Sequence, residues 1–194
     1  MLMLISGPSG AGKSTLVQAM LDEVPELNFS VSTTTRSLRA GEIDGVDYHF
    51  VDDATFDRLV ADDAFVEWAH VHDRRYGTRR DHVDQMISRG EIPLLDLDVQ
   101  GGKNVIELYG AELVSIFVFP PSWSELERRL RGRGTDDESV IRTRLDNARW
   151  EVNYAEHYSY WLVNNDKDEA LDTLRAILRA ERSRKVRFPS HPLV

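Results

Sequence analysis

Three nearly continuous apolar runs stand out along the chain: Leu2-Met3-Leu4-Ile5, residues 92–99 (IPLLDLDV) and residues 113–119 (LVSIFVF). Runs of this length without polar alternation suit strands buried on both faces, as in a parallel sheet. Between them the apolar spacing changes to that of helices. Leu16, Val17, Met20 and Leu21 share one face of a helix predicted over 13–23 and stopped by Pro25. A helix is predicted over about 101–108. Ser122 with Glu125 and Thr135 with Glu138 form capping boxes for helices reaching about Leu130 and Tyr154. Residues 160–163 make a short fourth strand, Asp166 opens a last helix to about Lys185, and the proline-bearing tail from 186 has no regular pattern. Strands alternating with helices predict an α/β fold with three layers: a parallel core sheet, helices on both faces and right-handed crossovers.

The segment 32–78 has a different pattern. A short strand is predicted over 28–32, then residues 32–42 are polar, hydroxyl-rich and basic with no apolar period, which reads as a loop. Asp44-Gly45 signals a turn before a strand over 46–51 that contains Tyr48. Asp52 or Asp53 caps a helix through about Val60, and 64–71 is a strand with Glu67 inside it. A carboxylate in an apolar strand needs a partner or water. Thr78 with Asp81 resembles the start of a helix ending at Gly90. The segment therefore reads as a mixed insertion on the parallel core. A second excursion, around 132–144, is rich in glycine and arginine and has the composition of a lid.

Chemistry enters first at Gly7-Pro8-Ser9-Gly10-Ala11-Gly12-Lys13-Ser14, which matches the G-x-x-x-x-G-K-[ST] phosphate loop position for position and lies between an apolar strand and an amphipathic helix. The glycines let the backbone curl so that successive N–H groups point inward, and the dipole of the following helix adds positive charge there. Lys13 is expected to reach the β- and γ-phosphates and Ser14 to bind the Mg²⁺ that bridges them. Asp96 and Asp98, two apart in a predicted strand, are expected to share a face.

Composition narrows the partners. The chain has 194 residues, a net charge of -9 and no cysteine. The negative balance argues against a nucleic-acid polymer held by bulk electrostatics, and the missing cysteines remove disulfides and thiolate metal sites. No apolar run is long enough for a membrane helix, so a cytoplasmic protein is the expectation. The arginines cluster nonetheless: Arg36 with Arg39, Arg74 and Arg75 with Arg79 and Arg80, and Arg128 to Arg133. Such groups serve phosphates on an acidic protein or form solvated helix faces, and Arg79 and Arg80 fit the second description better. His70 and His72 share a predicted strand face without a third metal ligand.

Further stretches carry a family resemblance: SVSTTTRSLRAGEIDGVDYHF over 30–50, Val66-Glu67-Trp68, Tyr76-Gly77-Thr78, Leu95 to Asp98 with Gln100-Gly101, Arg129-Leu130 through Arg133-Gly134, and Leu162-Val163-Asn164. Together with residues 7–15 they cover nearly the whole chain, which resembles guanylate kinase. The resemblance implies a nucleoside-monophosphate kinase that transfers a phosphoryl group from MgATP to GMP, and to dGMP. It divides the chain into a core (1–31, 79–124, 157–194), a GMP-binding insertion (32–78) and an arginine-bearing lid with its flanking helices (125–156).

By the same resemblance, Glu67, Ser32, Thr78 and Asp98 belong to the GMP site, with Arg36, Arg39, Tyr48 and Tyr76 on its phosphate. Residues Gly7 to Thr15 hold the ATP phosphates, and Asn164 lies in the adenine region. Lys13, Arg133 and Arg144 act on the transferring group, and Ser14 with Asp96, through water, serves Mg²⁺. The chemistry is consistent with these roles. Guanine presents two adjacent donors that one carboxylate accepts together, whereas adenine has an acceptor at that edge. Guanidinium forks and phenols suit a phosphate dianion.

Some roles stay open. Asp96 and Asp98 divide water-holding on Mg²⁺ and contact with the acceptor in either order. Arg129 closes on phosphate or faces solvent, Glu67 pairs with guanine or with a nearby arginine, and Asn164 is a pocket residue or a turn former. A neutral pair often stands where Arg74-Arg75 precede Tyr76. Two rival readings remain: a kinase for another nucleoside monophosphate, and a non-catalytic guanylate-kinase-like module that binds proteins. The intact phosphate loop opposes the second. The last helix and basic tail leave self-association possible.

Overall fold

The computed structural model describes residues 1–71, 73–132 and 137–188. In chain order the elements are β1 (Leu2–Ser6), α1 (Lys13–Glu23), β2 (Leu27–Phe29), β3 (Thr33–Thr34), β4 (His49–Phe50), α2 (Asp53–Ala61), β5 (Phe65–Val71), β6 (Arg74–Arg79) and α3 (Arg80–Ser88). They continue with β7 (Ile92–Asp96), α4 (Val99–Tyr109), β8 (Leu113–Phe119), α5 (Trp123–Gly132), α6 (Glu138–Val152), β9 (Tyr160–Val163) and α7 (Lys167–Arg182).

The apolar runs pair side by side. The core sheet has the order β2-β7-β1-β8-β9 and every pairing in it is parallel, with Met3 opposite both Leu94 and Val114. Alternate residues of β1 feed two cores, as the two-residue period of a strand requires. Met3 and Ile5 pack with Leu16 and Met20 of α1 and Leu171 and Leu174 of α7. Leu2 and Leu4 pack on the other face with Val83 of α3 and Val99 and Val105 of α4. These are the three layers the pattern predicts. A third cluster, Leu126, Leu130, Ile141 and Ala148, joins α5 to α6.

Residues of the polar middle segment form a separate four-stranded sheet, β4-β3-β6-β5, in which β3 and β4 run parallel and the other pairings are antiparallel. Several expected elements are revised here. The strand over 46–51 shrinks to β4 because Asp44 accepts the Phe50 N–H at 2.9 Å and Asp47 accepts that of Ile43 at 2.8 Å, side-chain bonds that hold a turn instead. The strand at 28–32 lies at Leu27–Phe29, and the loop over 32–42 contains β3. Thr78 does not begin α3; it lies in β6, and α3 starts two residues later.

The strand expected to run to Val99 ends at Asp96. Asp98 instead caps α4, its Oδ1 accepting the N–H groups of Gln100 and Gly101 at 3.0 and 2.9 Å, so Asp96 and Asp98 do not share a strand face and α4 begins at Val99. Asp52 caps α2. Ser122 caps the Glu125 N–H at 3.1 Å, but Glu125 turns to Arg128 and Arg129 rather than closing the box. The last helix stops at Arg182, and a short 3-10 turn follows at Lys185–Arg187. Thr135, Arg133, His72 and the tail from 189 lie outside the described residues. Among the described residues no helix is long and apolar enough to cross a membrane.

Candidate active site

The phosphate loop leaves the carboxyl end of β1, at the centre of the parallel sheet, where open α/β folds place their ligands. Its curl depends on glycine. Gly7 and Gly12 have φ of +140° and +92°, and a Cβ would come within 2.3 Å of the Val118 carbonyl at Gly7 and 2.2 Å of the Asn164 amide nitrogen at Gly12. Gly12 is the N-cap of α1 and supplies no side-chain cap, so the first N–H groups of the helix face the loop's interior. The Lys13 ammonium bonds back to the Gly7 and Pro8 carbonyls, closing the loop on itself.

Two side chains pin this loop from behind. The buried Asn164 amide donates to the Ala11 carbonyl at 2.8 Å. Arg129 donates to the same carbonyl at 3.3 Å and to the Asn164 carbonyl at 3.0 Å, while Glu125 holds its Nε at 2.8 Å. Arg129, partly exposed, thus joins α5 to the end of β9. From α6, Arg144 donates to the Ser9 hydroxyl at 2.8 Å. A cavity of about 380 Å³ opens over the loop, lined by Gly12, Lys13, Ser14, Asp96, Asp98 and Glu151 among others.

The carboxylates of this cavity are perturbed. Burial raises the pKa of Asp96, and the Lys13 charge opposes the rise. Burial also raises Glu151, with Lys13 lowering it and Asp98 raising it. Glu151 was missed in the sequence. The available signal was its position seven residues after Arg144, two turns along one helix face.

The second sheet reaches the adjoining cleft through His70 of β5. Glu67 is buried in β5, and its Oε1 accepts the Thr78 hydroxyl at 2.7 Å across the antiparallel β5–β6 pairing. No arginine pairs with it among the described residues. Burial pushes its pKa up to about 7; the Thr78 bond lowers it and the Asp98 charge raises it. A Cβ on Gly101 would lie 2.7 Å from Glu67 Oε2 and 3.7 Å from Asp98 Oδ1, so this glycine lets α4 approach both carboxylates. Ser32 stands just before β3 and accepts the His49 N–H at 2.9 Å through its carbonyl.

Arg36, Tyr48 and Tyr76 come together at the outer end of that sheet. The Arg36 guanidinium lies 5.2 Å from the Tyr48 ring centre, which is 5.8 Å from that of Tyr76. Glu42 takes the fork, with Nη2–Oε1 at 2.6 Å and Nη1–Oε2 at 2.9 Å, and accepts the Arg39 N–H at 2.8 Å. The Arg39 residue is exposed on the loop. Arg75 turns away from this cluster to Asp53 and Asp57 on α2 and lies over Phe56. Between the two halves a wider cleft of about 850 Å³ is lined by Ser9, His70, Asp98, Arg144 and Glu151.

A phosphate loop at the centre of a parallel sheet, with a cleft above it lined by Asp98, Arg144 and Glu151 and a second sheet that carries a buried Glu67 and an arginine–tyrosine cluster, fits a nucleoside-monophosphate kinase. Comparison with known proteins gives the family. The guanylate kinase family model matches residues 1–181. The guanylate kinase of Zymomonas mobilis is 47% identical over 187 residues, covering 96% of this chain and 87% of that protein. That of Sphingopyxis alaskensis is 47% identical over 186 residues, covering 96% and 84%. A crystal structure of guanylate kinase from Anaplasma phagocytophilum superposes with a TM-score of 0.74 at 34% identity, covering 95% of this chain and 87% of that one. The SH3-kinase fragment of tight junction protein 3 shares the fold alone, with a TM-score of 0.54 at 13% identity. The chain belongs to the guanylate kinase family.

Proposed function

We propose that this chain carries out the ATP:GMP phosphoryl transfer of its family through one cleft, with the phosphate loop as donor site and Glu67 as the group that selects guanine. The observation that carries this reading is the buried Glu67–Thr78 pair, a carboxylate without a cationic partner among the described residues, near enough to Asp98 of the Lys13 cavity for the Asp98 charge to act on it. Guanine N1–H and its amine supply two donors to that carboxylate and take the place of a counter-charge.

In this reading Ser32, Thr78 and Asp98 complete the base pocket, and Arg36, Arg39, Tyr48 and Tyr76 hold the acceptor phosphate. The loop N–H groups from Gly7 to Thr15 and the Lys13 ammonium hold the donor phosphates. Arg144, already bonded to Ser9, and Arg133, which lies outside the described residues, neutralise charge on the transferring group. Asn164 supports the loop beneath the donor site, next to its assigned adenine region.

The residues fit a magnesium ion carried by ATP. Ser14 and Asp96 line the Lys13 cavity, and among the described residues no group of three or more His, Cys, Asp or Glu is placed to hold a metal alone. Such a site suits an ion that draws most of its ligands from phosphates and water. Ser14 would hold the ion, with Asp96 reaching it through water, and there it would supply charge withdrawal from the donor phosphates.

An oxygen of the GMP phosphate forms the new bond to the γ-phosphorus as the bond to the β-bridging oxygen breaks, giving GDP and ADP. That phosphate is ionised near neutral pH, so no general base is required and catalysis consists of alignment and charge neutralisation. A cytoplasmic setting remains part of the proposal. A coupled ADP assay with GMP, dGMP, AMP and UMP tests it: GMP and dGMP are expected to turn over best, and higher turnover of AMP or UMP would remove the guanine assignment.

A further inference from the structure

Arg36 is not simply an unengaged cation awaiting phosphate. Its bonds to Glu42 and to the Ser37 carbonyl (2.9 Å) use Nη1 and Nη2 only, so the end of the guanidinium fork is occupied and the Nε edge faces away from the carboxylate. The plane is fixed from the sides as well, with the Tyr48 and Phe50 ring centres at 5.2 and 5.5 Å and the Tyr76 phenol beside it.

Glu42 is itself anchored. Its Oε2 accepts the Arg39 N–H at 2.8 Å, and its own N–H donates to the Arg39 carbonyl at 3.1 Å, so residues 39–42 form a closed turn with the carboxylate on its inner side. A carboxylate that merely fills an empty phosphate site would need freedom to leave. This one is tied to the loop that carries both Arg36 and Arg39.

We propose that Glu42 is a positioning residue for the acceptor phosphate: by occupying the Nη1/Nη2 end of Arg36 it turns the Nε/Nη2 edge toward the phosphate and sets the spacing of Arg36 from Arg39. A guanidinium offers two bidentate edges, and Glu42 selects which one the anion meets. The arrangement gives up net charge, since Glu42 neutralises Arg36, in exchange for a fixed orientation; Arg39 and the phenols supply the remaining attraction.

The inference rests on the phosphate-site reading above, and the test separates the two. Binding of GMP and of guanosine, which lacks the phosphate, is measured by calorimetry for the wild type, Glu42→Ala, Glu42→Gln and Arg36→Ala, with the steady-state KM for MgATP and a thermal melt for each. Glu42→Ala and Glu42→Gln are expected to weaken GMP about tenfold or more while guanosine and MgATP stay within twofold. GMP binding that is unchanged or tighter in both Glu42 variants overturns the proposal and makes Glu42 a spectator or a competitor. Equal weakening of GMP and guanosine also overturns it, because Glu42 then acts on the whole pocket. Glu42→Gln carries the test if the alanine variant does not fold. If Arg36→Ala leaves GMP binding intact, the phosphate-site reading itself falls; if Arg36→Ala weakens GMP and the Glu42 variants do not, only the role of Glu42 falls.

Discussion

The two halves of the cleft are built on opposite principles. The donor half is made of backbone: three glycines with positive φ, N–H groups at the start of α1, and two side chains, the buried Asn164 and the half-buried Arg129, holding the Ala11 carbonyl from behind. The acceptor half is made of side chains projecting from short strands and a loop, and it is held by a buried hydroxyl–carboxylate bond and by ion pairs. Triphosphate is common to all nucleotide donors, so a rigid backbone nest suffices for it. The acceptor must be chosen by its base, which requires groups whose protonation and direction are set individually.

The largest expected effect tests the donor half. Lys13→Ala removes the one cation inside the loop sequence while leaving the glycine curl intact. It should lower kcat by roughly 10²–10³-fold, the scale seen when one preorganised donor to a transition state is lost. The melting temperature and calorimetric affinity for GMP should stay close to wild type. Near-normal turnover in that variant would mean the loop is not the donor site.

Glu67→Gln probes the acceptor half at its base. The amide replaces one acceptor with a donor against guanine, so kcat/KM for GMP should fall by about 10–10²-fold, equivalent to ~1–3 kcal/mol, with the KM for MgATP unchanged. The pH dependence sharpens this. Burial raises the Glu67 pKa to about 7, and on the proposed reading guanine binds the ionised form. Below that value a proton must be released on binding, so the inhibition constant of guanosine should rise by about tenfold per unit as pH falls, and the Gln variant should show no such slope. The sign for stability follows the same linkage. A carboxyl whose folded pKa lies above its unfolded value weakens the fold as pH rises from the unfolded pKa toward 7. Glu67→Gln should therefore melt higher than wild type at pH 8 and about equally at pH 5. A flat guanosine profile for the wild type would show that Glu67 does not carry the recognition.

Asn164→Ala asks whether the donor loop depends on its support. Losing the buried amide leaves the Ala11 carbonyl with Arg129 at 3.3 Å as its remaining partner among these two. A loss of about 1–3 kcal/mol in denaturant unfolding is expected. The KM for MgATP should rise several-fold with guanosine binding unaltered. If guanosine binding weakens equally, the two halves are coupled more tightly than their construction implies.

The same contrast explains what could be read from sequence. The donor half is contiguous: strand, loop and helix occupy one stretch, and α1, β8 and β9 begin and end where the apolar pattern places them. The acceptor half is assembled across residues 32–98, and its details depend on tertiary approach. Asp98 looks like a strand residue until α4 starts beneath it, and the strand around Tyr48 yields to local bonds from Asp44 and Asp47. Arg129 shows the same limit within the donor half, since its i,i+4 pairing with Glu125 is visible in sequence but its reach to Ala11 is not. Glu42 lies inside the resembling stretch 30–50 and Glu151 two turns after Arg144, but what each does shows only when its partner, Arg36 or the Lys13 cavity, is in place.

The smallest expected effect concerns Arg75, marked as unusual by the family resemblance because a neutral pair often stands where Arg74-Arg75 precede Tyr76. Its guanidinium lies over Phe56 at 4.6 Å and pairs with Asp53 at 2.7 Å and with Asp57, both largely exposed. Exposed pairs of this kind contribute about 0–1 kcal/mol each, and a cation–π contact adds a similar amount. Arg75→Ala should accordingly lower stability by about 1–2 kcal/mol in denaturant unfolding, less at high salt, and change the KM for GMP by no more than about twofold. The Arg75 carbonyl still accepts from the Thr34 hydroxyl and the Thr35 N–H, and the Arg75 N–H still donates to the Thr35 hydroxyl, so β6 keeps its register and Tyr76 its place. A large rise in the GMP KM with little loss of stability would move Arg75 from the frame of the acceptor sheet into the phosphate site. The acceptor half would then owe its binding strength to long-range charge as well as to the positioned groups that face the cleft.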